Sequence, residues 1–186
     1  GGGLGDNRGV ERCAACGGVG CPEGDEVGQR VAARAVTLVK DERDLMPLRH
    51  SDTAAFIVLA ENRRGTQGLN LVDEVHKRAH NMKTVILDPA MPKEDLDQIT
   101  QSLAGVSSIV VAAYVSVAAY RGDVALAGNY PEFLNNLLSG SAPVTLASLG
   151  NPYLIRSFAA AKAYLTTYST TQTSETSLVK ALFGEM

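Results

Sequence analysis

A run of small and β-branched apolar residues, Pro143-Val144-Thr145-Leu146-Ala147-Ser148-Leu149, stops at Gly150-Asn151-Pro152-Tyr153. A strand with one wet face alternates apolar and polar residues, so an unbroken run like this one reads as a strand buried on both faces. Glycine and Asn-Pro then force a turn. The same grammar recurs at 54–60, 83–88 and 108–114, and more loosely at 36–40 and 162–168. Between these runs, 69–80, 93–104, 129–138 and 174–183 carry apolar residues at the helical period, and a short helix is expected over 26–35. Leu69, Val72, Val75 and Ala79 share one face of the first long helix, and Ser174 or Thr173 can cap the last one, which Gly184 ends.

Strands alternating with helices of ten to twelve residues give a parallel sheet covered on both sides. The expected fold is α/β, a doubly wound, mostly parallel sheet of five or six strands in a three-layer sandwich, flavodoxin-like in outline. Its domain spans 26–186. Residues 1–25 hold nine glycines and all three cysteines, with no apolar period, and read as a flexible tail or linker. Cys13, Cys16 and Cys21 have no nearby histidine to complete a metal site.

Ligands of open α/β sheets bind beyond the carboxyl ends of the strands. The residues placed there are Asn62, Arg63 and Arg64 after the second strand, Asp88 after the third, Arg121 and Asp123 after the fourth, and Asn151 and Tyr153 after the fifth. They are the candidate ligand-contacting set, with no catalytic residue among them. No Gly-x-Ser-x-Gly elbow occurs. His76 and His80, one turn apart, read as a solvated helix end, and His50-Ser51-Asp52 as the lead-in to a strand. No cofactor or metal is expected. A net charge of −3 gives no electrostatic case for nucleic acid or anionic membrane, and no apolar run reaches the ~20 residues that span a bilayer. The chain lacks the pattern of a signal peptide, so a soluble, cytoplasmic protein is the expectation.

Val36-Thr37-Leu38-Val39-Lys40-Asp41 is followed by Leu45-Met46-Pro47-Leu48, and later in order come the Arg121-Gly122 loop with the 129–138 helix, Gly150-Asn151-Pro152-Tyr153, the 163–168 strand and Ala181-Leu182-Phe183-Gly184-Glu185. Together these motifs resemble the C-terminal domain of glycoside hydrolase family 3, the first pair its opening and the others its later segments, nearest its β-N-acetylglucosaminidase branch. The resemblance covers about residues 26–186. It implies a parent enzyme whose N-terminal TIM barrel carries the aspartate nucleophile and a His/Asp acid–base dyad in a "KHFPGHG"-like loop, neither of which this chain contains. The family hydrolyses glycosides with retention through a covalent intermediate. In the β-glucosidase branch this domain supplies a glutamate acid–base, and no position here matches that motif. The resemblance therefore implies an accessory domain lining one side of a carbohydrate cleft, with the barrel as partner. A free-standing α/β domain that binds a small ligand is the alternative; a flavodoxin-like carrier would need a phosphate-holding Ser/Thr/Gly loop that is missing after the first strand.

Overall fold

The computed structural model describes residues 22–49, 53–62, 65–116 and 126–186. Helix α1 (Pro22–Ala35) precedes strand β1 (Thr37–Asp41). Then come β2 (Ala54–Leu59), α2 (Leu69–Arg78), β3 (Lys83–Leu87), α3 (Lys93–Ser102) and β4 (Ser108–Val115). The chain closes with α4 (Tyr130–Leu138), β5 (Val144–Gly150), a 3-10 turn (Pro152–Arg156), β6 (Ala163–Thr167) and α5 (Gln172–Leu182). The six strands form one sheet in the order β1-β6-β5-β4-β2-β3. All neighbours are parallel except β1, which runs antiparallel to β6 at one edge.

Every residue of β2 and β4 is buried, as expected of unalternated apolar runs in the middle of a sheet. Their side chains feed two separate cores. Ala55, Ile57, Leu59, Val111 and Ala113 face α3 and α4, where Leu96, Phe133, Leu134 and Leu137 meet them. Phe56, Val58, Val110 and Ala112 face α2 and α5, against Leu71, Val75, Leu178 and Leu182. The three-layer, doubly wound architecture expected from the sequence is the one observed. The antiparallel β1 is the departure from a uniform sheet, lying at its edge beside β6.

Element ends differ from the sequence reading where backbone chemistry decides them. Helix α1 starts at Pro22 instead of residue 26, since proline fits the first helical turn, where no N–H partner exists. Helix α5 is capped neither by Thr173 nor by Ser174 but by Thr171. Thr171 is extended, and its hydroxyl oxygen accepts the Ser174 N–H at 3.4 Å. Leu69 is not on the buried face of α2. It is 53% exposed, and the inward stripe runs through Leu71 and Val75 together with Glu74.

Glu74 is a buried carboxylate and is therefore paired. It bonds Lys77 and, at 2.8 Å, Arg78, whose guanidinium also holds Glu185 at the chain's end by two bonds of 2.7 Å. The Lys77 ammonium, and then Arg78, hold the Glu74 carboxyl below the usual range; Arg78 does the same for Glu185. A lowered carboxylate stabilises the fold above its unfolded pKa, and that contribution disappears as pH falls through the folded value. Thermal melts of the wild type should therefore lose stability below about pH 4.3. In Glu74→Gln that acid-side loss should be reduced, and an unchanged pH profile would show that the clamp contributes nothing.

Gly68 caps α2 at a φ of 87°, and a Cβ there would sit 2.6 Å from Val58 Cγ1 in the core strand. Gly68→Ala combines a strained backbone with an overlap that a packed strand cannot relieve. It should cost about 2–4 kcal/mol in urea unfolding.

Candidate functional site

Strand order fixes where a crevice opens. From β2 the chain moves outward to β3, then crosses back over β2 to place β4 on its other side. The helix after β2 covers one face and the helix after β4 covers the other. The loops leaving β2 and β4 therefore part company at their carboxyl ends, which is the switch point where open α/β sheets bind ligands.

Glu61, two residues past the end of β2, spans this gap. One carboxylate oxygen accepts the Ser116 backbone N–H and the other accepts the Ser116 hydroxyl at 2.5 Å, just past the end of β4. Both oxygens thus hold the first residue of the β4–α4 connection. Gln67 steadies the same loop from beneath, its Oε1 accepting the N–H groups of Glu61 at 3.0 Å and Asn62 at 3.4 Å. On the β3 side the buried Tyr130 hydroxyl lies 2.7 Å from the Leu87 carbonyl and 3.1 Å from that of Ala60, closing the sheet's end between β2 and β3. Burial, and then the charge of Asp88, push the Tyr130 phenol above its ordinary pKa, so it remains a neutral donor.

Of the residues expected at the crevice, Asn62, Asp88, Asn151 and Tyr153 stand at the carboxyl ends of β2, β3 and β5, while Arg63, Arg64, Arg121 and Asp123 lie outside the described residues, as do His50, Ser51 and Asp52. The four that are described do not converge through side-chain contacts. Asn62 is exposed at the loop tip. Asp88 turns back on its own loop, accepting the Ala90 N–H at 2.7 Å. Asn151 caps the 3-10 turn: its Oδ1 accepts the Tyr153 N–H at 2.9 Å, while the following proline keeps it extended at φ −93° and ψ 117°. Tyr153 is 53% exposed, with the Arg156 guanidinium 4.5 Å from its ring centre. Gly150 is needed where it is, because a Cβ would come within 2.4 Å of the Val115 carbonyl oxygen on the neighbouring strand.

His76 is not one of a free pair. Its Nε2 is 3.0 Å from the Thr84 hydroxyl on β3, while His80 lies beyond the end of α2 and is exposed.

Glu61 and Ser116 were not singled out by sequence. The only signal for Glu61 is that it follows a buried strand, and its partner became identifiable only once β2 and β4 were known to be neighbours. The same is true of a second buried node. Tyr114, at the carboxyl end of β4, receives the Gly68 N–H at 3.0 Å and donates its hydroxyl to Glu175 on α5. That bond ties β4 to the starts of two helices. Burial, followed by the Glu175 carboxylate, raises the Tyr114 phenol well above its ordinary range.

Asn151→Ala removes the cap acceptor and leaves the strand intact. It should lower stability by about 0.5–2 kcal/mol in chemical unfolding, and no change would mean that the turn is held by Pro152 and Gly150 alone.

No family model matches this chain, and no curated protein does. Solved structures do. A glycoside hydrolase family 3 β-N-acetylglucosaminidase from Paenibacillus sp. matches all of this chain and 34% of its own, at a TM-score of 0.69 and 16% identity. A β-glucosidase from Listeria innocua, in complex with glucose, matches 96% of this chain and 27% of its own, at 0.73 and 13%. A fungal multi-domain β-N-acetylglucosaminidase of family 3 matches 85% and 17%, at 0.64 and 17%. The chain spans about a third or less of the length of these enzymes. Its fold is one that glycoside hydrolase family 3 enzymes carry as a part of a longer chain.

Proposed function

We propose that this chain is the C-terminal accessory domain of a glycoside hydrolase family 3 enzyme. In this reading its carboxyl-end loops line one side of the sugar cleft, and it does not hydrolyse glycosides alone. The observation that carries the reading is the asymmetry of coverage: nearly all of this chain superposes on about a third or less of each related enzyme. The ordered motifs, above all Gly150-Asn151-Pro152-Tyr153 and Ala181-Leu182-Phe183-Gly184-Glu185, support it independently and point to the β-N-acetylglucosaminidase branch.

The division of labour follows from the residues. Retaining hydrolysis needs a nucleophile and an acid–base group flanking one glycosidic bond. At the described crevice, Glu61 has both oxygens committed to Ser116, and Asn151 is committed to its own turn. The partner is then a TIM-barrel domain supplying nucleophile and acid–base. This domain contributes a wall on which Asn62, Arg63, Arg64, Asp88, Arg121, Asp123, Asn151 and Tyr153 are the candidate sugar contacts. The Glu61–Ser116 bridge sets where the β4–α4 connection, which carries Arg121 and Asp123, leaves the sheet.

The test has two arms. The chain alone, assayed on a chromogenic β-N-acetylglucosaminide, should stay at background, and clear turnover would overturn the accessory role. In an enzyme restored with its barrel, Glu61→Gln should lower kcat/KM by about tenfold, equivalent to about 1.4 kcal/mol of transition-state contact. Unchanged kinetics there would remove this edge of the sheet from the sugar cleft.

A further inference from the structure

Helix α1 is committed to the rest of the domain on one side. Gln29 Nε2 donates to the Ser177 hydroxyl at 2.8 Å and to the Thr173 carbonyl at 3.5 Å, both on α5. Gln29, Ala32, Ala33 and Ala35 are half-buried, which fixes how the helix is rolled. The outward side carries Val27, Arg30, Val31 and Arg34, spaced i, i+3, i+4 and i+7, all four exposed and lining one open groove. Val27 is 49% exposed and Val31 64%. On the edge strand that follows, Leu38 and Val39 are more than half exposed as well. A lone apolar residue on a surface needs no reason, whereas a set of large ones within 27–39 marks a contact surface.

Of the two exposed elements, β1 is the poorer docking site. Its ladder with β6 slips between Leu38 and Lys40, and the Lys40 ammonium reaches the Ala159 carbonyl and the Glu42 carboxylate, both at 2.9 Å. A bulge and a lysine blunt a sheet edge against the addition of another strand. That leaves α1.

The charges of α1 say what fits it. Glu23, Asp25 and Glu26 precede the valines, and Arg30 and Arg34 are the cations of the later half. Glu23, four residues before Val27, continues the same row of the helix. A row that runs from acid through valine to arginine is complementary to itself reversed, and a twofold axis reverses it. With the axis midway between the valines, Val27 of one copy meets Val31 of the other, and Arg34 of each comes beside Glu23 of the other. The order of charges also suits the helix's own dipole, but the dipole gives no reason for the valines between them. Nor does it explain Gly28. Glycine disfavours a helix interior, and a Cβ on Gly28 would meet nothing within 4 Å, so packing within the chain makes no use of its small size. Beside Val27 and exposed, it lets a second backbone approach closely.

We propose that two copies of this chain pair through α1, antiparallel about a twofold axis, with Val27 and Val31 at the centre and Arg34–Glu23 pairs at the two rims. The pairing goes beyond the accessory role and does not depend on it. One 14-residue helix from each copy, ~21 Å long, makes a small interface, so the dimer is of the weak and reversible class.

Sedimentation equilibrium of the 186-residue chain, at loadings from about 5 to about 500 μM, tests this. The wild type should show a monomer–dimer equilibrium with a Kd on the order of 50 μM. Val31→Lys places an ammonium in the centre of the pairing and should leave only monomer, with the far-ultraviolet spectrum and urea midpoint of the wild type. Arg34→Glu should weaken the dimer by about tenfold, and adding Glu23→Arg to the same chain should restore it to within about threefold. Gly28→Ala, a better helix former, should nonetheless weaken it by about threefold, since the added methyl separates the backbones. The proposal is overturned by a wild type that stays monomeric, by a dimer that survives Val31→Lys, or by a charge exchange that restores nothing. A monomeric wild type whose urea midpoint falls in Val31→Lys would instead assign this face to residues 1–21 of the same chain. No barrel domain and no glycoside enter the experiment, so its outcome is separate from that of the accessory-domain reading.

Discussion

Everything in this fold depends on β2 and β4 being dry on both faces. Two adjacent strands with every side chain buried cannot be satisfied by one layer of helices, so the chain must supply a layer on each side. That requirement sends α2 and α5 to one face and α3 and α4 to the other. It also makes the β2–β4 pair the place where successive connections diverge. The crevice is a by-product of how the core is covered.

A sheet end that opens must still be held together, and three polar links do this. Glu61 joins the exit of β2 to that of β4 through Ser116. Tyr130 closes the gap between β2 and β3 from the α4 side. Tyr114 reaches the opposite side, linking β4 to Gly68 before α2 and to Glu175 within α5. Tyr130 and Tyr114 place buried hydroxyls where apolar packing ends and pair them, as burial demands, while the Glu61–Ser116 link is exposed.

The likeness to family 3 enzymes concerns the fold, because identities of 13 to 17% carry architecture and not residue roles. Within that fold, the Glu61 carboxylate at the switch point is tied down by Ser116, which suits a structural wall.

Local sequence was enough to place nearly every strand and helix, since burial on both faces writes an unalternated apolar run and a packed helix writes a 3.6-residue period. It also located the Asn151 turn, because a proline's restriction of its neighbour acts through adjacent atoms. It misjudged Leu69, because a stripe at helical spacing does not say where a helix begins to touch the sheet, and it did not mark Glu74, which burial tolerates only because Lys77 and Arg78 neutralise it. The cap of α5 fell to Thr171 because the chain leaving β6 is still extended there. Strand order, the antiparallel β1, the Glu61–Ser116 bridge and the Tyr114–Glu175 bond were decided only by tertiary structure. Each joins groups 55 or more residues apart, or pairs strands whose neighbours no local pattern names. Periodicity records which face of an element is dry; it carries no information about which other element keeps it so.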